Sequence, residues 1–496
     1  MIKSISLENF KAFSNLDQLQ IKPLTILCGV NSGGKSSILK SLLLLKQSYE
    51  NTSATNEATL NGLYTTNGLM EDVLYNGEGG NFSIRNMFQV KFQGKKFVAT
   101  SKQDITTAKE LGKMTGLSSD IVAWFTIDVT CSIKKANGSS MLWDRNYIDY
   151  YLVTISPLSK EEKPIAEKTF QIELKYKAKG KGNGKYNITL KNFPTISGDS
   201  CDYLLENCTC YFSGMRLTNL YYEKTSQSQE ILLNDFLTNI YAVFRIVAEQ
   251  YNGLKYLGPL RENPKRQYVI TNEFSTVDST GADTPFILAR NQSKNVISEL
   301  YPPIDESNFD EKVQPIKRNL NEIVQSWMSY FELGELKLIN RQDSLQLSIK
   351  NNNIADVGFG ISQTLPVIVH GLSMNYEQTL ILEQPEIHLH PRMQMRMSDL
   401  LLTLAQTNHC VIVETHSDHI INRIVRRALE AQDESILDNI VIYFVSNSES
   451  GSKVTPITID RVCGISECPP EFFTQFASET SFIINAGLNN MNRGNG

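Results

Sequence analysis

The first segment whose residue types suit chemistry is a glycine-rich stretch near the N-terminus. It reads Gly29-Val30-Asn31-Ser32-Gly33-Gly34-Lys35-Ser36, follows an apolar run and precedes a predicted helix. Glycines let backbone N–H groups surround phosphates, the lysine can reach the β- and γ-phosphates, and the last serine can ligate magnesium. We call residues 29–36 the P-loop. The predicted ATP-binding residues are Asn31, Ser32, Gly33, Gly34, Lys35, Ser36 and Ser37, with Ser36 also on Mg²⁺.

A second segment places carboxylates directly after an apolar strand. Thr379-Leu380-Ile381-Leu382-Glu383 is followed by Gln384, Pro385 and Glu386. A P-loop needs a second, acidic magnesium ligand, and the end of a neighbouring parallel strand is where such an acid would lie. Glu383 is therefore the predicted second Mg²⁺ ligand. A buried strand that simply leaves the core through polar residues is the alternative interpretation.

A third segment, Cys410 to Ser417, again joins an apolar strand to polar residues and contains His416. A histidine at this edge can donate a hydrogen bond to a γ-phosphate or hold an attacking water. A structural histidine with satisfied hydrogen bonds is the other interpretation.

A fourth segment, Asp356 to Gln363, contains small residues and opens a helix. Its backbone can approach a phosphate closely, so Gly358, Gly360 and Ser362 form a second candidate anion site. We call residues 358–363 the signature-like loop.

Along the chain, the P-loop comes first, followed by the signature-like loop, the strand that ends at Glu383 and the segment that contains His416. This order resembles that of ABC-type ATPases of the SMC and RecF branch. Two segments have sequences similar to those of a narrower bacterial group, the OLD-like (overcoming lysogenisation defect) and Septu-like antiphage ATPases. They are residues 383–391 and Tyr256-Leu257-Gly258-Pro259-Leu260-Arg261. Cys468 to Phe473 looks similar to a tail of that group. The resemblance covers about residues 1–80 and 250–480.

This resemblance implies a head that pairs with a second head, with ATP held between the P-loop of one and the signature-like loop of the other. Ser362 and the backbone of Gly358 and Gly360 would then act in trans. Gln384 stands where many relatives carry a catalytic glutamate, so Glu386 is a substitute and hydrolysis is expected to be slow or partner-dependent. The candidate catalytic residues are Glu383, Gln384, Glu386 and His416.

The surrounding pattern predicts the elements that position these residues. Strands alternate with helices of 10–15 residues after residue 360, which indicates a parallel sheet with crossover helices. Residues 82–193 show mostly period two, and Phe170-Ile172-Leu174-Tyr176 meets Tyr186-Ile188-Leu190 across a turn, as in an antiparallel hairpin. Helical patterns are predicted at 229–250, near 291–300 and near 311–330.

The predicted fold class is α/β, an ABC-type P-loop ATPase head with a mixed sheet, discontinuous in sequence, plus a β-rich inserted lobe. The predicted domains are a head at 1–80 and 250–460, a β-rich insertion ending in a helix at 81–249, and a C-terminal helical tail at 461–496.

Composition and charge limit the class of protein. The chain has 496 residues, 41% hydrophobic and 20% charged, with a formal net charge of −5, which argues against a surface that binds polyanions throughout. No secretory signal or membrane span is recognised and the cysteines are scattered, so a cytoplasmic protein is expected. A lysine-rich hairpin turn, Lys175 to Lys185, is read either as a local DNA contact or as a solvated turn. The arginines at 423, 426 and 427 are read as a solvated helix face.

The sequence thus predicts a Mg²⁺-dependent ATPase that forms at least a dimer. The resemblance adds prokaryotic antiphage defence and a separate effector protein, expected to be a nuclease, because no Asp-x-Asp cluster follows His416. The alternatives are a RecF-like DNA-repair ATPase, and an ATP-binding sensor or scaffold with little hydrolysis.

Overall fold

A computed structural model provides the architecture. It describes residues 1–91, 102–136, 145–179, 183–195, 200–222, 227–270, 279–292, 298–313, 319–375, 378–407, 409–431, 433–449, 451–462, 464–467, 469 and 472.

Strands and helices are numbered in chain order. The strands are β1 Ile2–Phe10, β2 Phe13–Gln20, β3 Leu24–Gly29, β4 Asn81–Lys91, β5 Val122–Lys135, β6 Asn146–Ser159, β7 Phe170–Ala178, β8 Gly184–Pro194, β9 Ser200–Ser213, β10 Arg216–Tyr221, β11 Leu254–Leu257, β12 Tyr268–Val269, β13 Leu336–Asn340, β14 Ser344–Ile349, β15 Asn352–Asn353, β16 Thr379–Glu383, β17 Cys410–Glu414, β18 Ile440–Ser448, β19 Gly451–Asp460 and β20 Gly464–Glu467. The α-helices are α1 Lys35–Glu50, α2 Met70–Val73, α3 Lys102–Thr115, α4 Gln227–Asn252, α5 Thr284–Arg290, α6 Leu320–Tyr330, α7 Phe359–Leu372, α8 Pro391–Gln406 and α9 Asp418–Glu430.

A seven-stranded sheet carries the predicted site. Its order is β11-β16-β17-β3-β18-β19-β20; the first five strands are parallel, and β19 and β20 are antiparallel. The central strands are continuous apolar runs because both of their faces are buried. In β3, Leu27 joins one hydrophobic core, whereas Leu24 and Ile26 join the other.

Helices cover both faces of this sheet. Helices α1 and α4 contribute to the core on one face, and α6, α7, α8 and α9 contribute to the core on the other. The predicted α/β class with a mixed sheet is confirmed.

A nine-stranded antiparallel sheet packs on the α1 and α4 side. Its order is β10-β9-β8-β7-β6-β5-β4-β1-β2. The predicted hairpin is confirmed, since Ile172, Leu174 and Tyr176 pair with Leu190, Ile188 and Tyr186. Because β4 pairs with β1, this sheet continues across the predicted domain boundary at residue 80. The division into head and insertion stays a prediction.

Smaller elements differ in part from the sequence pattern. Strands β12 to β15 form a third, small sheet beside α5. The helix predicted near 311–330 is shorter, because α6 begins at Leu320 after the Asn319 side chain caps it by accepting from Glu322 N. Another helix was predicted near 291–300. The described residues of that range contain one 3₁₀ turn, Ser298–Leu300, and helix α5 ends before the range, at Arg290.

The C-terminal segment was expected to be helical. Its first part contains the strand β20, which pairs with β19. The rest of the predicted tail lies almost wholly outside the described residues. None of the helices in the described ranges is both long and apolar enough to cross a bilayer.

Candidate functional site

The P-loop joins β3 to α1 at the C-terminal edge of the parallel strands. Helix α1 begins at Lys35 after Gly34, which has φ 104° and makes no side-chain cap hydrogen bond. The first turn of α1 contains no acidic residue. The N–H groups and positive dipole end of a 16-residue helix are thus directed toward the loop without a competing side chain, which suits a phosphate.

Close packing against β18 explains why glycines occupy this loop. Gly29 has φ 127°, and a Cβ there would lie 2.2 Å from the Val445 carbonyl oxygen. A Cβ on Gly33 would lie 2.7 Å from the same oxygen. Any larger residue would push the loop off β18, so the glycines keep the backbone close to the sheet.

The Lys35 side chain lies folded over the loop that it follows. Its ammonium donates hydrogen bonds to the carbonyl oxygens of Gly29 and Val30, at 3.2 and 2.7 Å. Burial lowers the pKa of Lys35, and the Glu414 carboxylate opposes that effect. Lys35 is therefore held at the phosphate site by groups that a phosphate can replace.

The strand order places a different acid beside Ser36 from the one predicted. Strand β17 lies between β3 and β16, so Glu383 is two strands away from the P-loop strand rather than on its neighbour. The Ser36 hydroxyl lies 3.1 and 3.0 Å from the two carboxylate oxygens of Glu414, the last residue of β17. Burial and then the nearby Glu383 raise the pKa of Glu414 to about 7.

Glu414 is thus a site residue that the sequence interpretation missed. The sequence pattern of the apolar run Cys410 to Val413 was used only to predict the position of His416. The sequence pattern that could have identified Glu414 is an acid directly after an apolar run, the same pattern that places Glu383 at the end of β16. In the structure the two glutamates are register partners.

Glu383 is held from the side opposite the P-loop. The Tyr256 hydroxyl donates to Glu383 Oε1 at 2.9 Å, and Arg261 Nη2 donates to the Glu383 carbonyl oxygen at 3.3 Å. Burial raises the pKa of Glu383, partly offset by the Tyr256 hydrogen bond. Burial lowers the pKa of Arg261 to about 10, against the attraction of Glu386.

The residues after Glu383 are tied to the end of β17. Gln384 has φ 45° and its N–H donates to the Glu414 carbonyl oxygen at 2.7 Å. Glu386 Oε1 accepts from the His416 N–H at 2.8 Å, and burial raises the pKa of Glu386. The structure therefore brings Gln384, Glu386 and His416 to one edge.

His416 is exposed at this edge. Partial burial, followed by the charge of Lys35, lowers its pKa. A neutral imidazole at neutral pH can donate from one ring nitrogen and accept at the other, which suits contact with a phosphate or a water.

The signature-like loop lies at the N-terminus of α7, next to the segment that follows β16. A Cβ on Gly360 would lie 3.3 Å from the His388 carbonyl oxygen, whereas Gly358 has no atom of the chain within 4 Å of such a position, among the residues that the structure describes. Ser362 is buried and its hydroxyl donates to the Phe359 carbonyl oxygen at 2.9 Å. The loop thus presents the Gly358 backbone and the Phe359 ring rather than the Ser362 hydroxyl.

Two arginines predicted to be solvated are instead buried. Arg423 and Arg427 pair with the buried Asp399 of α8, while Arg426 lies half exposed beside Glu430. In the lysine-rich hairpin turn, Lys175 pairs with Glu173, and Lys181 lies outside the described residues.

The donor set fits ATP with magnesium. Ser36, Glu383 and Glu414 place oxygen atoms of the kind that Mg²⁺ prefers at the edge where the P-loop places N–H groups and an ammonium. Buried carboxylates side by side favour a cation between them.

Comparison with known families agrees with this geometry. Residues 1–421 match the model of a family described as the AAA ATPase domain. The chain belongs to that family. The match includes the β-rich residues 81–249, for which the sequence patterns gave no relative. A search of curated proteins gave no match.

Several solved structures are similar to the chain at low identity. An SMC head bound to the C-winged helix domain of ScpA is 11% identical, with a TM-score of 0.40 and coverage of 93% of this chain and 98% of that one. The SMC head domain from Thermotoga maritima is 10% identical, with a TM-score of 0.35 and coverage of 92% of this chain and 99% of that one. A third structure is an SMC head with an extended coiled coil, bound to the C-terminal domain of ScpA derived from Pyrococcus furiosus. It is 12% identical, with a TM-score of 0.37 and coverage of 92% of this chain and 96% of that one.

Proposed function

We propose that the chain is a Mg²⁺-dependent ATP-binding and ATP-hydrolysing protein that dimerises through its heads. In the cytoplasm of a prokaryote it would gate a separate effector, a nuclease, in antiphage defence. The observation that carries the ATPase part is the Ser36 hydroxyl of a P-loop directed at Glu414, with Glu383 on the next strand. Together with the family match, this arrangement supports ATP as the ligand.

Each residue has a role that follows from its position. The N–H groups of the P-loop bind the phosphates, and Lys35 exchanges its two loop carbonyls for phosphate oxygens. Ser36 and Glu383 hold magnesium, which neutralises phosphate charge when bound. His416 donates to the γ-phosphate or orients the attacking water. Glu386, fixed by the His416 N–H, is the proposed base.

Head pairing is supported by what the signature-like loop exposes. The Phe359 side chain is 61% exposed and Leu260, which follows β11 at the same edge of the sheet, is 83% exposed. Large apolar side chains at such exposure favour contact with another surface. A second head that covers this edge would bring the Gly358 backbone to its ATP.

The effector and the defence role rest on the resemblance of residues 383–391, 256–261 and 468–473 to OLD-like and Septu-like ATPases. The direct test is to express the chain with and without a nuclease encoded by a neighbouring gene and to measure phage plating. Protection that needs both proteins and Lys35 supports defence. DNA-stimulated ATP turnover without any companion nuclease would instead support a RecF-like repair role.

One observation favours a second function, an ATP-binding sensor. Gln384 is neutral, and its backbone is fixed to β17 in a left-handed conformation. An amide cannot act as a general base. Tight ATP binding with negligible turnover, even with partner and DNA present, would favour the sensor over the ATPase.

ATP turnover by the purified full chain tests the main proposal. Lys35→Ala and Glu383→Ala should each reduce turnover at least about tenfold, since each removes a charge from the phosphate or metal site. Lys163→Ala is a matched control, because Lys163 pairs with Glu161 in solvent. Turnover that survives both site changes would refute the proposal.

A further inference from the structure

We infer that Glu414 is a second acidic residue of the magnesium site and binds the metal together with Ser36 and Glu383. This inference rests on the proposed function and concerns one residue of the same site. It differs from the sequence prediction, in which Glu383 was the acidic ligand and the strand ending at Glu414 served only to place His416.

The backbone of Glu414 is fixed from both sides. Glu414 pairs with Leu27 of β3 and with Glu383 of β16. The Gln384 N–H donates to its carbonyl oxygen at 2.7 Å, and the next residue, Thr415, donates to the Leu27 carbonyl oxygen at 3.0 Å. The carboxylate therefore leaves a rigid position midway between the P-loop strand and the Glu383 strand.

Strand spacing places Glu414 nearer to Ser36 than Glu383 is. Neighbouring strands lie about 4.8 Å apart, so β16 is roughly twice that distance from β3. Glu414 removes this gap, because both of its oxygens already lie within 3.1 Å of the Ser36 hydroxyl. A cation held by Ser36 would meet Glu414 before it met Glu383.

The surroundings of Glu414 differ from those of a structural buried acid in the same chain. The side chain of Asp399 is paired with two buried guanidinium groups, from Arg423 and Arg427. Glu414 is only 4% exposed, yet within the described residues its side-chain hydrogen bonds go to the Ser36 hydroxyl. Its register partner is another acid, Glu383.

Chemistry then selects the ligand. A hydroxyl supplies one proton, whereas an ionised carboxylate offers about four acceptor positions, so most of its capacity remains available. Lys35 attracts Glu414, but its ammonium is hydrogen-bonded to the loop carbonyls. Burying a carboxylate without a directly bonded counter-charge is unfavourable, and a second carboxylate beside it adds repulsion. A hard divalent cation bound by oxygen ligands relieves both.

Binding of Mn²⁺, used as a spectroscopic probe for Mg²⁺, tests the inference without relying on turnover. The full chain is titrated with Mn²⁺ in the presence of a non-hydrolysable ATP analogue, and free Mn²⁺ is measured by electron paramagnetic resonance. We expect Glu414→Gln to raise the Mn²⁺ dissociation constant by about tenfold or more. Analogue binding in EDTA should not weaken, because the phosphate-binding groups are intact and one negative charge beside the phosphates is removed.

Matched variants separate a metal role from a structural one. Glu173→Gln removes a half-buried glutamate that is bonded to Tyr150 and Lys175, away from the site, and should leave Mn²⁺ binding unchanged. Glu414→Asp keeps the charge on a shorter side chain and should bind Mn²⁺ between wild type and Glu414→Gln. If Glu414→Gln does not fold, the aspartate variant decides the question.

The outcomes distinguish this inference from the proposed function. Wild-type protein that binds no analogue and no Mn²⁺ refutes both. Wild-type binding that Glu383→Gln weakens and both Glu414 variants leave unaltered refutes the role of Glu414 alone.

Discussion

At the scale of single residues, the site depends on side chains that hold other side chains. Glu383 is fixed by Tyr256 through its carboxylate and by Arg261 through its carbonyl oxygen. Both come from the segment after or within β11, the edge strand beside β16. Glu383 is therefore positioned by two residues that make no proposed contact with ATP.

Tyr256→Phe tests that positioning role. The change removes the donor to Glu383 and leaves the ring, so the fold should persist. A hydrogen bond to a charged group contributes about 1.5–3 kcal/mol, so a loss of roughly tenfold to a hundredfold in ATP turnover is expected. The Mg²⁺ concentration for half-maximal turnover should rise as well.

Tyr443→Phe is the matched control, because Tyr443 lies in the same sheet as Glu383 but its hydroxyl donates to the carbonyl oxygen of Gln20 in β2, away from Glu383. Equal loss of turnover in both variants would mean that Tyr256 acts through stability alone.

Residues differ in how far the sequence could identify them. Lys35 and Ser36 belong to one contiguous pattern whose spacing fixes their geometry, so their place at the loop could be predicted. Glu414 is separated from Ser36, and Tyr256 and Arg261 are separated from Glu383, by more than a hundred positions in sequence. The first contact depends on β17 lying between β3 and β16, and the other two depend on β11 lying beside β16; no local pattern encodes that order.

At the scale of elements, helices α8 and α9 are joined by buried charges. Asp399 of α8 accepts from Arg427 Nε at 2.8 Å and from Arg423 Nη2 at 3.0 Å. Both arginines also donate to the Glu306 carbonyl oxygen. These helices carry the connections from β16 to β17 and from β17 to β18, so the network holds two segments that lie at the C-terminal edge of the parallel strands.

The helical period of α9 was predicted correctly, but its buried face was not. Arg423 and Arg427 are four residues apart and so share a face, and charge alone suggests a solvated one. That face is buried because Asp399 lies opposite it on α8. A single sequence shows the spacing but not the partner.

Asp399→Asn should destabilise the protein strongly. It leaves the buried Arg423 without its counter-charge and Arg427 with only the partly exposed Glu430, which costs about 3–5 kcal/mol of unfolding free energy. Urea unfolding followed by circular dichroism measures the change. Glu161→Gln breaks an exposed pair with Lys163 and should cost less than about 1 kcal/mol. Similar losses from the two variants would contradict a central role for the Asp399 network.

At the scale of the whole molecule, helix α1 links the P-loop to the nine-stranded sheet. Its N-terminus follows the P-loop, and its apolar residues Ile38, Leu39 and Leu42 lie in the core shared with the nine-stranded sheet. Near its C-terminus, the Ser48 carbonyl oxygen accepts from the Met215 N–H in the β9–β10 turn. A displacement of the P-loop helix would therefore reach the far strands of that sheet through packed contacts.

The signature-like loop supplies the test of assembly, because Gly358 can be changed without disturbing its own chain. Gly358 has φ −62°, which any residue adopts, and within the described part of the chain no atom lies within 4 Å of the position where a side chain would begin. Gly358→Arg should therefore leave the unfolding free energy unchanged. If the loop contacts ATP on a second head, this variant should lose most of its turnover, because the arginine side chain would occupy the place of the ATP phosphates in that one site.

Mixed dimers make that prediction decisive. Lys35→Ala destroys the P-loop of its own chain, and Gly358→Arg blocks the loop that completes the partner's site. A dimer with one chain of each type, isolated through two different tags, retains one site with both parts intact. It should recover about half of the wild-type turnover, although each variant alone is inactive. A Gly358→Arg homodimer that hydrolyses ATP at the wild-type rate would show that the loop does not act in trans.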